Sequence, residues 1–303
     1  MTNARWQRWL VALHGLWLAA WVLGFWQRSA ALALAGLVLV PLLSRLCMLP
    51  QFLLMAWVCR RDDPPPPPAW GLLRGWWAES RWAALVFGWW QPFCQQAEPD
   101  WLPPRPADGA APRGVVLVHG FLCNRAFWRP WFAPLRARGH AFVAVTLEPP
   151  FGSIDDYAGT IDAAVQRVAE ATGRAPLIVG HSMGGLAIRA WLRATPGAEA
   201  RVQHVVTIGS PHAGTWPAAH ARSTAGQQMR LHGPWVQALR AQEPAGRAAL
   251  FRCWYSGGDN VVYPHATATL AGADNRFLEG VAHVEMAFDP RVLRDCLELL
   301  QAA

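Results

Sequence analysis

The sequence predicts an α/β domain, a mostly parallel sheet of about six strands flanked by helices, preceded by N-terminal transmembrane helices. Three observations carry this. Beyond residue 114, short apolar runs alternate with helically spaced segments, the rhythm of βαβ units. Before residue 60 lie two long stretches almost free of charge. Between the two regions stand five consecutive prolines, residues 64–68, which cannot continue a helix.

Composition narrows the function classes. Of 303 residues, 53% are hydrophobic and 16% charged, so part of the chain is expected to meet lipid. The net charge is +7, but all 27 cationic residues are arginine and no basic run is longer than Arg60-Arg61. Tryptophans interleave with apolar neighbours rather than basic ones, which argues against nucleic-acid binding. The six cysteines, Cys47, Cys59, Cys94, Cys123, Cys253 and Cys296, form no CxxC pair and no metal-ligand spacing. Neither a disulfide framework nor a metal is expected, and a reducing compartment fits.

Residues 9–26 carry no charge, and at about 1.5 Å per residue they just cross a bilayer core. A cleaved signal peptide shares the basic start and apolar core, but here the apolar character resumes past Ala31-Leu32-Ala33. The second stretch, residues 30–58, is too long for one straight span and contains Pro41, Pro50 and Arg45, so a kinked or tilted helix is expected. Arg45 would cost roughly 2.5–3.5 kcal/mol in mid-membrane, unless it snorkels or is buried in protein. With both segments spanning, Arg5, Arg8, Arg60, Arg61 and Arg74 share one side against Arg28 alone, which places that side in the cytoplasm.

The domain reading follows: 1–61 a transmembrane hairpin, 62–69 a stiff proline linker, 70–112 a Trp-rich helix and loop, and 113–303 the catalytic domain. Thirteen of the 19 tryptophans precede Gly109, and Trp70, Trp76, Trp77, Trp82, Trp89 and Trp90 crowd one stretch. That stretch reads either as an interfacial helix against the membrane, capping the mouth of the active site, or as a helix packed on the following domain.

In the catalytic region, residues 115–120, 141–147, 175–181, 202–210, 250–258 and 275–281 read as six strands. The plainest helix is 154–171, with Ile154, Tyr157, Ile161, Val165 and Val168 on one face. Reactive groups then belong at the carboxyl ends of the strands.

At the end of the third strand stands GHSMGG, with Ser182 between Gly180, His181 and Gly184, Gly185. In Gly-x-Ser-x-Gly a strained turn lifts the hydroxyl off the sheet, and side chains two before and two after the serine would collide. The helix that follows points its positive end at the site. A serine needs a base and an orienting carboxylate. Chain order offers Asp259 past the fifth strand and His283 past the sixth; Asp274 and His265 compete less well, and Glu279, Glu285 and Asp289 read as surface or supporting groups. Backbone amides of Phe121 and Met183 are the expected oxyanion donors, each worth roughly 3–4 kcal/mol. His119 and Gly120 would shape the first loop, and Cys123 would line the site.

VVLVHGF, GHSMGG, TIGSPHAGT, GGDNVV and the late AHVEM stand in an order that resembles the α/β-hydrolase superfamily, in particular bacterial lipases and esterases of the triacylglycerol-lipase type. The resemblance covers residues from about 113 to the C-terminus. It implies Ser182 as nucleophile, Asp259 as acid, His283 as base, and Phe121 and Met183 as oxyanion amides. Ala282 replaces the glycine usual before the histidine, and the two strands that open the full superfamily sheet are not evident. The resemblance does not extend to the membrane segments; the expected location is a bacterial inner membrane with the catalytic domain facing the cytoplasm. The expected activity is hydrolysis of carboxylic esters with apolar acyl chains, without cofactor, with membrane lipid and ester or lipid substrates as partners and no nucleic acid. An acyltransferase, thioesterase, amidase or haloperoxidase on the same site, or a catalytically silent membrane scaffold, are the alternatives.

Overall fold

The computed structural model describes residues 2–104 and 111–302, so part of the loop before the first strand, 105–110, lies outside the described residues. The N-terminal region is helical: α1 (Asn3–Trp26), α2 (Ala30–Leu46), α3 (Leu49–Val58) and α4 (Ala69–Leu85). Ser29 caps α2 by accepting the Leu32 amide. The second apolar stretch breaks between α2 and α3 just before Pro50, which sits in the first turn of α3, where its missing N–H costs nothing. Asn3–Trp26 and Ala30–Val58 are each long and apolar enough to cross a membrane by length and composition.

The sheet follows with β1 (Val115–Val118), β2 (Phe142–Ala144), β3 (Leu177–His181), β4 (His204–Ile208), β5 (Phe251–Ser256) and β6 (Asp274–Leu278). All pairings are parallel, in the order β2-β1-β3-β4-β5-β6. Six strands stand where six were expected, each shorter than its apolar run because the run continues into the loop that leaves the sheet. The expected helix at 154–171 begins as a 3-10 turn, Ile154–Tyr157, capped by Ser153, and continues as Ala158–Thr172.

Both faces of the sheet are covered, which is why its central strands β1, β3 and β4 are buried at all but one position and mostly apolar. Val116, Val118, Ile178 and Val205 face the helices Ala158–Thr172 and Met183–Ala194. Val115, Leu117, Leu177, Val179 and Val206 face Arg129–Ala137 and Pro290–Gln301. A third, smaller cluster joins the N-terminal region to this domain: Phe52, Met55, Cys59 and Trp76 pack with Tyr263 and Ala282. Burying these side chains stabilises the docking by about 2 kcal/mol each.

Candidate active site

From β1 the chain crosses to β2 on one side, and β3 lies on the other, so the carboxyl ends of β1 and β3 border a crevice where no crossover obstructs access. Ser182 occupies that point. It has φ 55° and ψ −129°, a left-handed conformation that a side chain rarely adopts, between β3 and the helix Met183–Ala194. Its amide donates to the Ile208 carbonyl at 2.8 Å, which ties the turn to β4. The glycines around it leave room for this bend. A Cβ on Gly180 would come within 2.7 Å of Ile188, one on Gly184 would press into the Val118 carbonyl, and one on Gly120 would lie 2.8 Å from the Ser182 Cβ. Gly185 is closed in by Ser210.

His283 opens a short helix, His283–Met286, just past β6. Its Nδ1–H donates to Asp259 Oδ2 at 2.9 Å. Asp259 is 2% exposed, and its other oxygen accepts the amides of Val261 and Val262 at 2.9 and 2.8 Å, so the carboxylate cannot turn away. The His283 amide donates to Asn260 Oδ1 at 3.3 Å. Burial works against protonating this imidazole, but the charge and hydrogen bond of Asp259, with Glu79 nearby, outweigh it and hold the His283 pKa above the ordinary histidine value.

Ser182 and His283 line one cavity of about 390 Å³. Their side chains share no hydrogen bond in this structure, although both residues line the same cavity. Phe121 lines the cavity too, and its amide has no acceptor among the described residues. Met183 is the first residue of its helix, where amides lack an intrahelical partner. Both amides are thus available to an anionic oxygen.

The flanking histidines are fixed by hydrogen bonds. His181 stacks on Phe127 with ring centroids 4.6 Å apart, and its Nε2–H donates to the His283 carbonyl at 3.1 Å. Burial holds it well below the usual histidine range, with the neighbouring His283 adding to the effect. His119 donates from Nδ1 to the Gly120 carbonyl and accepts the Leu147 amide on Nε2, and burial pushes its pKa down to about 4. Cys123 lines the cavity with a thiol that burial pushes up to about 12, no nucleophile at neutral pH.

The competing residues lie elsewhere. Asp274 starts β6 and pairs with Arg252 and Arg276. Glu285 accepts the Ala282 amide, Asp289 caps the helix Pro290–Gln301, and Glu279 is exposed. His265 is buried beside Asp62 and Cys59, whose donor atoms with its own fall within 4.8 Å of one another. Those three could hold a cation such as zinc, an arrangement the spacing of the cysteines did not suggest.

One residue of the site was not anticipated. Glu79, on α4, reaches the helix that begins with His283 and accepts the amides of Val284 at 2.9 and 3.0 Å and of Glu285 at 3.2 Å. It lines the cavity, and burial pushes its carboxyl up to about 7. Met48, Gln51, Ala83 and Phe87 complete a roof drawn from the N-terminal region, with Gln51 accepting from the Asn260 amide at 3.1 Å. Of the two readings of the Trp-rich stretch, packing on the domain describes one face of α4, where Trp76, Glu79 and Ser80 are buried; Trp70 and Trp77 on its other face stay exposed.

A family model described as the alpha/beta hydrolase family matches residues 115–299, more than half of the chain. Lipase BlEst2 from Bacillus licheniformis, in its mature form, is similar at 18% identity with a TM-score of 0.56, covering 65% of this chain and 95% of that one. Lipase B from Aspergillus fumigatus is similar at 18% identity and a TM-score of 0.55 over 65% of this chain, which spans about half (55%) of the fungal lipase. These likenesses are of fold. No curated protein matches the chain.

Proposed function

Since the chain belongs to the α/β-hydrolase family, we propose that it is a membrane-anchored serine hydrolase that cleaves carboxylic esters through Ser182, His283 and Asp259. The observation that carries the reading is the Ser182 hydroxyl, raised on a left-handed turn into the cavity that also holds an imidazole tied to a buried carboxylate. The family and the lipase folds named above favour a hydrolase; the ester as substrate rests on the acyl-transfer geometry of the site.

Ser182 Oγ attacks the ester carbonyl carbon while His283 Nε2 takes its proton. The carbonyl oxygen becomes an oxyanion, met by the amides of Phe121 and Met183, each contributing about 3–4 kcal/mol. As the tetrahedral species collapses, the C–O bond to the alcohol breaks and His283 returns the proton to that oxygen. The acyl group remains on Ser182. Water, deprotonated by His283, then repeats the attack and releases the acid, restoring the hydroxyl. Asp259 keeps the imidazole in one tautomer and stabilises its charged form.

In this proposal α1 and α2 form a membrane hairpin and α3 returns to the catalytic domain, with the arginine distribution placing that domain on the cytoplasmic side. Ser182→Ala tests the site. The variant is expected to fold, to lose at least a thousandfold in turnover of p-nitrophenyl butyrate, and to resist a fluorophosphonate label that modifies the wild type. Turnover retained by this variant refutes the assignment.

A further inference from the structure

A second cavity, of about 580 Å³, lies along the first turns of α1. Trp6, Leu10 and Val11 form one wall, and Ala84 with Phe87, on the end of α4 and the π-helical turn Val86–Trp90, forms the other. It is continuous in its lining with the cavity of Ser182, because Phe87 and Leu122 border both. Leu122 directly follows the oxyanion residue Phe121, has φ 56°, and gives its carbonyl to the Gln7 side chain at 2.9 Å. The groove therefore begins one residue from the reacting centre. From Asn3 to His14 it follows α1 over eleven residue-to-residue steps, about 16 Å, enough for most of a fatty acyl chain.

Its two ends differ chemically. Gln7, which meets the Leu122 carbonyl, is 5% exposed, and Asn3, one turn before it on α1, is 0% exposed; both polar atoms of the Asn3 side-chain amide and the Gln7 Oε1 have no hydrogen-bond partner. Further along, Leu10, Val11 and His14 continue up a helix that is charge-free from residue 9 to residue 26. Buried amides without partners are costly unless a ligand supplies them. A membrane lipid has the same order of parts: oxygens at the ester-bearing backbone, then hydrocarbon running into the bilayer.

We propose that this groove holds the acyl chain of a membrane-lipid ester, threaded from the bilayer along α1, with the ester carbonyl at Ser182, a free hydroxyl of the lipid backbone donating to Gln7 Oε1 and a backbone ester oxygen accepting from the Asn3 side-chain NH2. The assignment rests on the serine-hydrolase reading and adds the substrate class: long-chain lipid, presented from within the membrane. The acyl part is the one placed here because it stays bonded to Ser182 between the two half-reactions, whereas the alcohol must leave. Apart from Leu122, every groove residue named lies outside the 115–299 region shared with the family, so the subsite is a property of this chain's own N-terminal region.

The test uses full-length protein in detergent micelles, with rates expressed per active site titrated by a short-chain fluorophosphonate. A Cβ on Gly88 meets open space, so Gly88→Leu projects into the groove, and Val11→Trp fills it from the opposite wall. Each is expected to lower the ratio of p-nitrophenyl palmitate to p-nitrophenyl butyrate turnover at least tenfold. A ratio that stays within twofold of the wild type in both variants overturns the acyl groove. A failure of the serine-hydrolase reading is seen separately, as turnover of both esters that survives Ser182→Ala.

Discussion

At the scale of single residues, the question is what sets the protonation of His283. In the proposed mechanism the imidazole must be neutral to act as a base, and its pKa is held above the ordinary value, so activity is expected to fall as pH drops through that raised value. Part of the elevation comes from Glu79. Glu79→Gln removes the charge while keeping an oxygen for the Val284 amide, and should move the acid limb of kcat/KM to lower pH by about half a unit, because Glu79 is itself partly protonated near pH 7. A second readout separates this from a packing defect. Glu79 itself is raised by burial to about 7 from 4.5, so its stability contribution is complete below its unfolded value and is lost as pH rises through about 7. The thermal midpoint of Glu79→Gln relative to wild type is therefore expected to rise between pH 5 and pH 8. An unmoved acid limb together with a flat difference in midpoint would remove Glu79 from the electrostatics of the base.

At the scale of elements, the tight junction is β3, the Ser182 turn and the helix behind it, pressed against β1. Gly184 has no room for a methyl group because the Val118 carbonyl occupies its place. Gly184→Ala is expected to destabilise by about 1–3 kcal/mol, read as a lower urea midpoint at unchanged slope, and to displace the Ser182 turn enough to depress turnover. Much of this was legible beforehand. Five of the six strands lie within apolar runs, the edge strand β6 being polar at Asp274, Asn275 and Arg276, and Gly180, Ser182 and Gly184 announce the turn by their spacing alone, because the constraint is local. Asp259 and His283 could be chosen by chain order past the fifth and sixth strands, since a parallel sheet delivers successive carboxyl ends to one edge. Glu79 could not. It lies some 205 residues from the amides it holds, on a helix whose tryptophans suggested a membrane surface, and no periodicity encodes a contact of that range. The same holds for the pairing of Asp62 with His265, and for the π-helical turn that sets Phe87 between the two cavities.

At the scale of the whole molecule, the N-terminal region is part of the site rather than a tether. The first turns of α1 dock on the catalytic domain: the Asn3 backbone N–H donates to Glu148 at 3.1 Å and the Arg8 guanidinium to the Pro92 carbonyl at 2.6 Å. α1 and α2 then pack against each other, with Trp21 donating to the Leu32 carbonyl at 3.1 Å and crowding Gly36. A hairpin rooted in this way puts its turn, Gln27-Arg28-Ser29, far from the docked end. About 24 residues of α1 at 1.5 Å each give some 36 Å, more than a hydrocarbon core. If the hairpin spans the bilayer, the turn and Ser182 face opposite compartments. Changing the two cysteines that are not buried, Cys47 and Cys94, to serine leaves a background on which a new thiol can be read. In sealed vesicles, Ser29→Cys should then react with a membrane-impermeant maleimide only from the face opposite the one on which a soluble fluorophosphonate reaches Ser182. Reaction of both from one face would mean that α1 lies along the surface. The groove beside it would then take its acyl chain from the interface rather than from the depth of the membrane.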